Sequence, residues 1–211
     1  MRQPDFSDHK LYDGGRAPNP RRVRIYLAEK GIEVPLVPVD MGALGHKEPD
    51  IAKRNPLMRL PVLELGDGRI LTESIAICRY FETLCPEPSL FGEGAYGEAE
   101  VEMWQRRMEL HFMFPVAQAF RHIHPAMKDW EVPQIADWGE ANKPKAIEFA
   151  ALLNDELADR PFIAGNTISV ADITGVIAMD FCKPARIAIP DDLVHFHRWY
   201  QAMRERPSYA A

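Results

Sequence analysis

Two hydrophobic rhythms divide the chain. Up to about residue 85, short apolar runs alternate with stretches of helical spacing, and beyond it apolar residues recur at helical spacing with only short ambiguous runs between them. Lys10-Leu11-Tyr12-Asp13 reads as a short strand closed by Gly14-Gly15. Asn19-Pro20 then opens a helix over about Pro20 to Lys30, with asparagine as N-cap, proline at the first helical position and Gly31 as the stop. Val34 to Val39 reads as a second strand with proline at its margins, and Asp40 to Asn55 as a loop with room for a turn of helix. Leu60 to Leu65 and Arg69 to Leu71 flank Gly66-Asp67-Gly68, a turn signal that predicts a β-hairpin. A second helix follows from about Glu73 to Leu84.

The order β-α-β, then β-β-α, with parallel pairing across the first helix and an antiparallel hairpin, predicts a thioredoxin-like α/β unit over residues 1–85. Cys85-Pro86-Glu87-Pro88 and the glycines through Gly97 mark a linker over 86–97. Residues 98–211 are expected to be all-helical, with helices over about Glu98 to His124, Ile135 to Leu157, Val170 to Phe181 and Asp191 to Arg204. Ser169-Val170-Ala171-Asp172 has the form of a capping box, flanked by Ile168 and Ile173 at staple positions.

Composition narrows the functional classes. With 25 basic and 31 acidic side chains the formal net charge is −6, and no basic block supports a nucleic-acid partner. The polar lead-in Met1 to Asp8 lacks the layout of a signal peptide, and no run approaches a membrane span, so a cytoplasmic protein is expected. Cys78, Cys85 and Cys182 fit neither a disulfide framework nor a zinc ribbon. His122/His124 and His195/His197 are spaced two apart, which on a helix turns them away from one another, so no metal is expected.

Four phrases in order carry a family likeness: Asn55-Pro56-Leu57-Met58-Arg59-Leu60-Pro61-Val62-Leu63; Leu71-Thr72-Glu73-Ser74-Ile75-Ala76-Ile77; Phe162-Ile163-Ala164-Gly165 with Ser169-Val170-Ala171-Asp172; and Trp199 to Pro207. The chain resembles the cytosolic glutathione transferase superfamily, in its bacterial theta- and nu-like form. The resemblance implies a glutathione transferase that conjugates the glutathione thiolate to an apolar electrophile in detoxification. It also implies glutathione as co-substrate and a two-fold homodimer. Glutathione-dependent disulfide reduction and a non-catalytic scaffold are the alternatives. If the family fold is complete, further structure lies within Asp40 to Asn55.

The resemblance also assigns the glutathione site. It implies a cis peptide before Pro61, so that Leu60 pairs strand-fashion with the cysteinyl unit; a proline that only starts an edge strand is the structural alternative. Ser74 would hold the γ-glutamyl carboxylate and Glu73 its amine, at a helix start where orphan amides favour an anion. The alternative is ordinary capping by Thr72 or Ser74. His46 and Arg59 match positions that hold the glycyl carboxylate, with Lys47 in reserve, and each could equally be a solvated side chain. A free thiol has a pKa of about 8.5, so a transferase lowers it with donors at the sulfur. Ala17 stands where a serine hydroxyl is common, which leaves Asn19 as the catalytic candidate, unless it serves only as N-cap. Arg21, Arg22 and Arg24 read as surface or interdomain contacts.

Overall fold

The computed structural model describes residues 4–211; Met1 to Gln3 of the polar lead-in lie outside the described residues. The described residues divide into two compact units, one of residues 4–89 with Pro207–Ala211, the other Leu90–Arg206.

The first unit holds a four-stranded sheet of β1 (Lys10–Asp13), β2 (Leu36–Pro38), β3 (Val62–Glu64) and β4 (Ile70–Thr72), in the order β2-β1-β3-β4. β1 and β2 are parallel across α1 (Pro18–Lys30), while β3 runs antiparallel to both β1 and β4. This is the thioredoxin-like arrangement read from the sequence. The hairpin turn closes as expected, with Gly68 at φ 83° and its N–H donating to the Leu65 carbonyl. Two differences have local causes. α1 begins at Pro18, with Ala17 rather than Asn19 as its N-cap, because proline is pre-set for the first helical position. The Asp40 to Asn55 segment contains a 3₁₀ turn at Gly45–Lys47 and a short helix, α2 (Pro49–Arg54), again opened by proline.

α1 and α3 (Ser74–Leu84) face one another along a polar seam. Arg22, Tyr26 and Lys30 recur every fourth residue on α1 and are buried. The Arg22 guanidinium donates to Ser74 Oγ at 2.7 Å, the Tyr26 hydroxyl donates to Glu82 at 2.5 Å, and Lys30 pairs with Glu82 at 2.7 Å. Lys30 also donates to the Pro86 and Pro88 carbonyls. Arg24 pairs with Asp13. Of the arginines read as surface or interdomain contacts, Arg22 is instead a structural group inside this unit, only 3% exposed. Past Arg206 the chain returns to this unit: Arg21 donates to the Tyr209 carbonyl and stacks over its ring at 4.7 Å, and Ser208 bonds Glu29.

The second unit is helical: α4 (Gly94–Arg107), α5 (Phe114–Ile123), α6 (Ala136–Glu156), α7 (Val170–Cys182) and α8 (Val194–Arg204). The single helix expected from Glu98 starts earlier, at Gly94, and is broken by a π-helical turn at Met108–Met113. Pro115 explains the break, since it has no N–H to donate and its ring crowds the carbonyl four residues back. Gly175 of α7 allows close packing: a Cβ there would lie 2.8 Å from the Trp199 ring. Leu110, Phe114, Trp138 and Phe149 line an apolar groove of about 430 Å³ on this unit.

Asp172 organises the unit's core. The capping box forms, and the fully buried carboxylate accepts from the Ser169 N–H and Oγ, the Ile163 N–H and the Trp199 Nε1, all at 2.8–2.9 Å. One side chain thus ties the α7 start to α8 and to the loop at Ile163. Asp172→Ala strands several buried donors and should cost about 3–5 kcal/mol of unfolding free energy, measured by denaturant titration.

Candidate active site

Four segments converge at one end of the sheet. The β3–β4 register pairs Val62 with Thr72, so Leu60 and Ser74 both lie directly beyond the same end of the hairpin ladder. The β1–β3 register pairs Tyr12 with Val62, which carries Gly14 to the same end beside Leu60. The contact is close: a Cβ on Gly14 would lie 3.3 Å from both the Leu60 side chain and Ala17 Cβ. The N-terminus of α1 therefore starts next to Leu60, and the N-terminus of α3 starts at Ser74. Two helix starts bring their positive dipole ends to this edge, with free N–H groups at the α3 start but only that of Asn19 between Pro18 and Pro20 at the α1 start.

Leu60 is buried and its peptide with Pro61 is cis. The approach to it is shaped by buried Asn55, whose Oδ1 accepts from the Leu57 N–H and whose Nδ2 donates to the Arg59 carbonyl. Arg59 is exposed, whereas His46, in the 3₁₀ turn, is 1% exposed rather than solvated. Burial pushes the His46 imidazole below its ordinary pKa, and the positive charges of Lys47 and Arg59 push it further. His46 thus lies within the field of both other groups expected at a carboxylate. Glu73 is exposed and holds φ 64°, a conformation rare outside glycine, at the N-cap of α3. Such strain persists only where the surroundings enforce it, and it is common at ligand clamps. Ser74 is buried, its Oγ accepting from Arg22.

Asn19 is the second residue of α1 and exposed; no side chain caps that helix. The capping role is excluded for it, because the first helical bond runs from the Arg21 N–H to the Ala17 carbonyl. Tyr12 is buried and spends its hydroxyl on Glu64 at 3.0 Å. The sequence reading missed Arg22. The available signal was its place on α1 one turn before Tyr26 and two before Lys30, on the inward stripe.

Three of the four paired histidines are occupied elsewhere: His122 Nδ1 accepts from the Ile135 N–H, His124 stacks on Phe120, and His197 Nε2 contacts the Pro190 carbonyl. No cluster of three or more metal-ligating side chains occurs among the described residues. The three cysteines are buried, and burial raises the Cys182 thiol to about 12. Among the described residues no helix is long and apolar enough to cross a membrane.

A thioredoxin-like unit joined to a helical one, with a cis-proline edge facing two helix starts, defines the class, and comparison with known proteins agrees. Residues 17–84 match the glutathione S-transferase N-terminal domain, and residues 104–207 the glutathione S-transferase C-terminal domain. Glutathione S-transferase 2 of Saccharomyces cerevisiae is 33% identical over 201 residues, 94% of this chain and 86% of that protein. The crystal structure of Gtt2 from the same yeast superposes with a TM-score of 0.90 at 32% identity, covering 95% of this chain and 98% of that one. A glutathione S-transferase domain-containing protein of Marinobacter aquaeolei VT8 gives 0.91 at 38% identity, covering 94% and 98%. The chain belongs to the glutathione S-transferase superfamily.

Two outcomes are expected from this geometry. Since His46 has a lowered pKa in the fold, its neutral form contributes stability above about pH 6.5, and that part is lost as pH falls through the folded value. NMR titration should find the imidazole below 6.5 in the free protein and shifted upward when a carboxylate binds beside it. Glu73→Gly should relieve the positive φ and raise unfolding free energy by about 1 kcal/mol while weakening glutathione binding, both measured by denaturation with and without glutathione.

Proposed function

We propose that this protein is a glutathione transferase that joins the glutathione thiolate to an apolar electrophile. The observation that carries the reading is the convergence of Leu60, Glu73, Ser74 and the α1 start at one sheet end. Leu60 pairs its backbone with the cysteinyl unit. Ser74 and the α3 amides take the γ-glutamyl carboxylate, and Glu73 takes the ammonium. His46 and Arg59 take the glycyl carboxylate. The sulfur then comes to the α1 N-terminus, where Asn19 donates to it and the helix dipole favours its ionised form. The thiolate attacks an electrophilic carbon, a C–S bond forms, and a halide leaves or an epoxide C–O bond opens, the alkoxide being protonated by solvent. The expected setting is the cytoplasm, with a two-fold homodimer as the assembly.

One observation favours a second reaction on the same site. Ala17 supplies no hydroxyl, so a substrate that brings a good sulfur leaving group needs less activation. Glutathione-dependent disulfide reduction, in which thiolate attacks a disulfide sulfur and displaces a thiolate, meets that condition.

Side-by-side turnover of a model aryl halide and a small disulfide, each with glutathione, separates the two; faster turnover of the aryl halide is expected. Inactivity on both, with no glutathione binding by calorimetry, overturns the enzymatic reading and leaves a scaffold. Ser74→Ala and Glu73→Gln should each weaken glutathione binding by about 1–3 kcal/mol. Asn19→Ala should slow conjugation and raise the pH at which the bound thiol ionises, followed by thiolate absorbance; an unchanged ionisation returns Asn19 to the surface.

A further inference from the structure

Arg22 is a charged side chain held inside the first unit, 3% exposed, and burying a guanidinium costs several kcal/mol before its contacts repay it. One of those contacts is specific: Nη1 donates to Ser74 Oγ at 2.7 Å, inside the protein. The direction of that bond matters. Arg22 can only donate, so Ser74 Oγ is an acceptor toward it, and the serine's single proton is left to point elsewhere. Ser74 is the first residue of α3, so that proton is available to a group approaching the helix start, alongside the orphan amides there. A hydroxyl that accepts from a cation also becomes a stronger donor. Cys78, one turn further along α3 and within the field of Arg22, supplies no compensating charge, because burial pushes its thiol far above the usual range.

We propose that Arg22 is a specificity-determining positioning residue. It acts through Ser74 to commit the α3 start to a carboxylate, and so to the free α-carboxylate of the γ-glutamyl unit. The inference rests on the assignment of Ser74 to that carboxylate. A serine without such a cation behind it can accept or donate and discriminates weakly between a carboxylate and a neutral group. With Arg22 in place it presents a donor, polarised and fixed in direction.

The test compares binding of glutathione with binding of γ-aminobutyryl-cysteinylglycine, the same tripeptide without the α-carboxylate, by calorimetry. The proteins are the wild type, Ser74→Ala, Arg22→Met, Arg22→Gln and Arg22→Lys. The wild type should prefer glutathione by roughly ten- to hundredfold. Arg22→Met should reduce that preference to near the Ser74→Ala level with affinity for the shortened analogue unchanged, and Arg22→Lys should keep most of it. If Arg22→Met does not fold, Arg22→Gln, which retains donors without the charge, gives the same reading. An unchanged preference in a folded Met or Gln variant overturns the proposal, as does an equal loss of affinity for both ligands, the mark of a purely structural role. A wild type without preference, or a Ser74→Ala variant that retains it, instead overturns the Ser74 assignment itself, and the inference with it.

Discussion

The seam between α1 and α3 fixes where everything at the site end of the first unit can be. Arg22, Tyr26 and Lys30 meet Ser74 and Glu82 at intervals of one helical turn, and all three are buried. Sliding one helix past the other by a turn would part Arg22 from Ser74 and pull Glu82 away from at least one of Tyr26 and Lys30, and a buried group without a partner is costly. An apolar interface tolerates small slips because dispersion is not directional, whereas this one admits a single register. The start of α1, with Ala17 and Asn19, is therefore held at a set distance from Ser74. That distance is what a ligand bridging the two helix starts would measure.

Much of this was legible locally. The hairpin at Gly66-Asp67-Gly68, the capping box at Ser169 and Asp172, and the division into a mixed unit and a helical one all follow from turn chemistry and periodicity. What escaped was decided by tertiary packing. A single sequence shows Arg22 as one of three arginines in four residues, and only the opposing helix distinguishes the buried one. His46 likewise looks like any surface histidine until the 3₁₀ turn folds it inward. The π-turn ahead of Pro115 and the helix starts at Pro18 and Pro49 were within reach of the sequence, since proline announces each of them. Nothing local announces that residues after Arg206 rejoin the first unit.

The site separates two tasks. On the proposed function, recognition rests on groups fixed by the sheet and by buried hydrogen bonds: Leu60 behind Asn55, and Ser74 in front of Arg22. On the same proposal, activation of the sulfur falls to an exposed side chain, Asn19, in the first turn of a helix whose cap is an alanine. A rigid binding edge with a lightly equipped reacting corner places the demand for reactivity on the partner substrate. This is a physical reason for one scaffold to serve electrophiles and disulfides of differing intrinsic reactivity.

The contacts of Ser208 and Tyr209 with α1 bear on how the chain is made. The first unit emerges from the ribosome early, yet the surface of α1 that carries Arg21 and Glu29 waits for residues 207–211, which follow the whole helical unit. Domains generally fold in order of synthesis. Here the earliest helix gains its last neighbours only after more than a hundred further residues have been added, so a nascent chain stalled within the helical unit would carry a sheet already paired and an α1 still bare along one side.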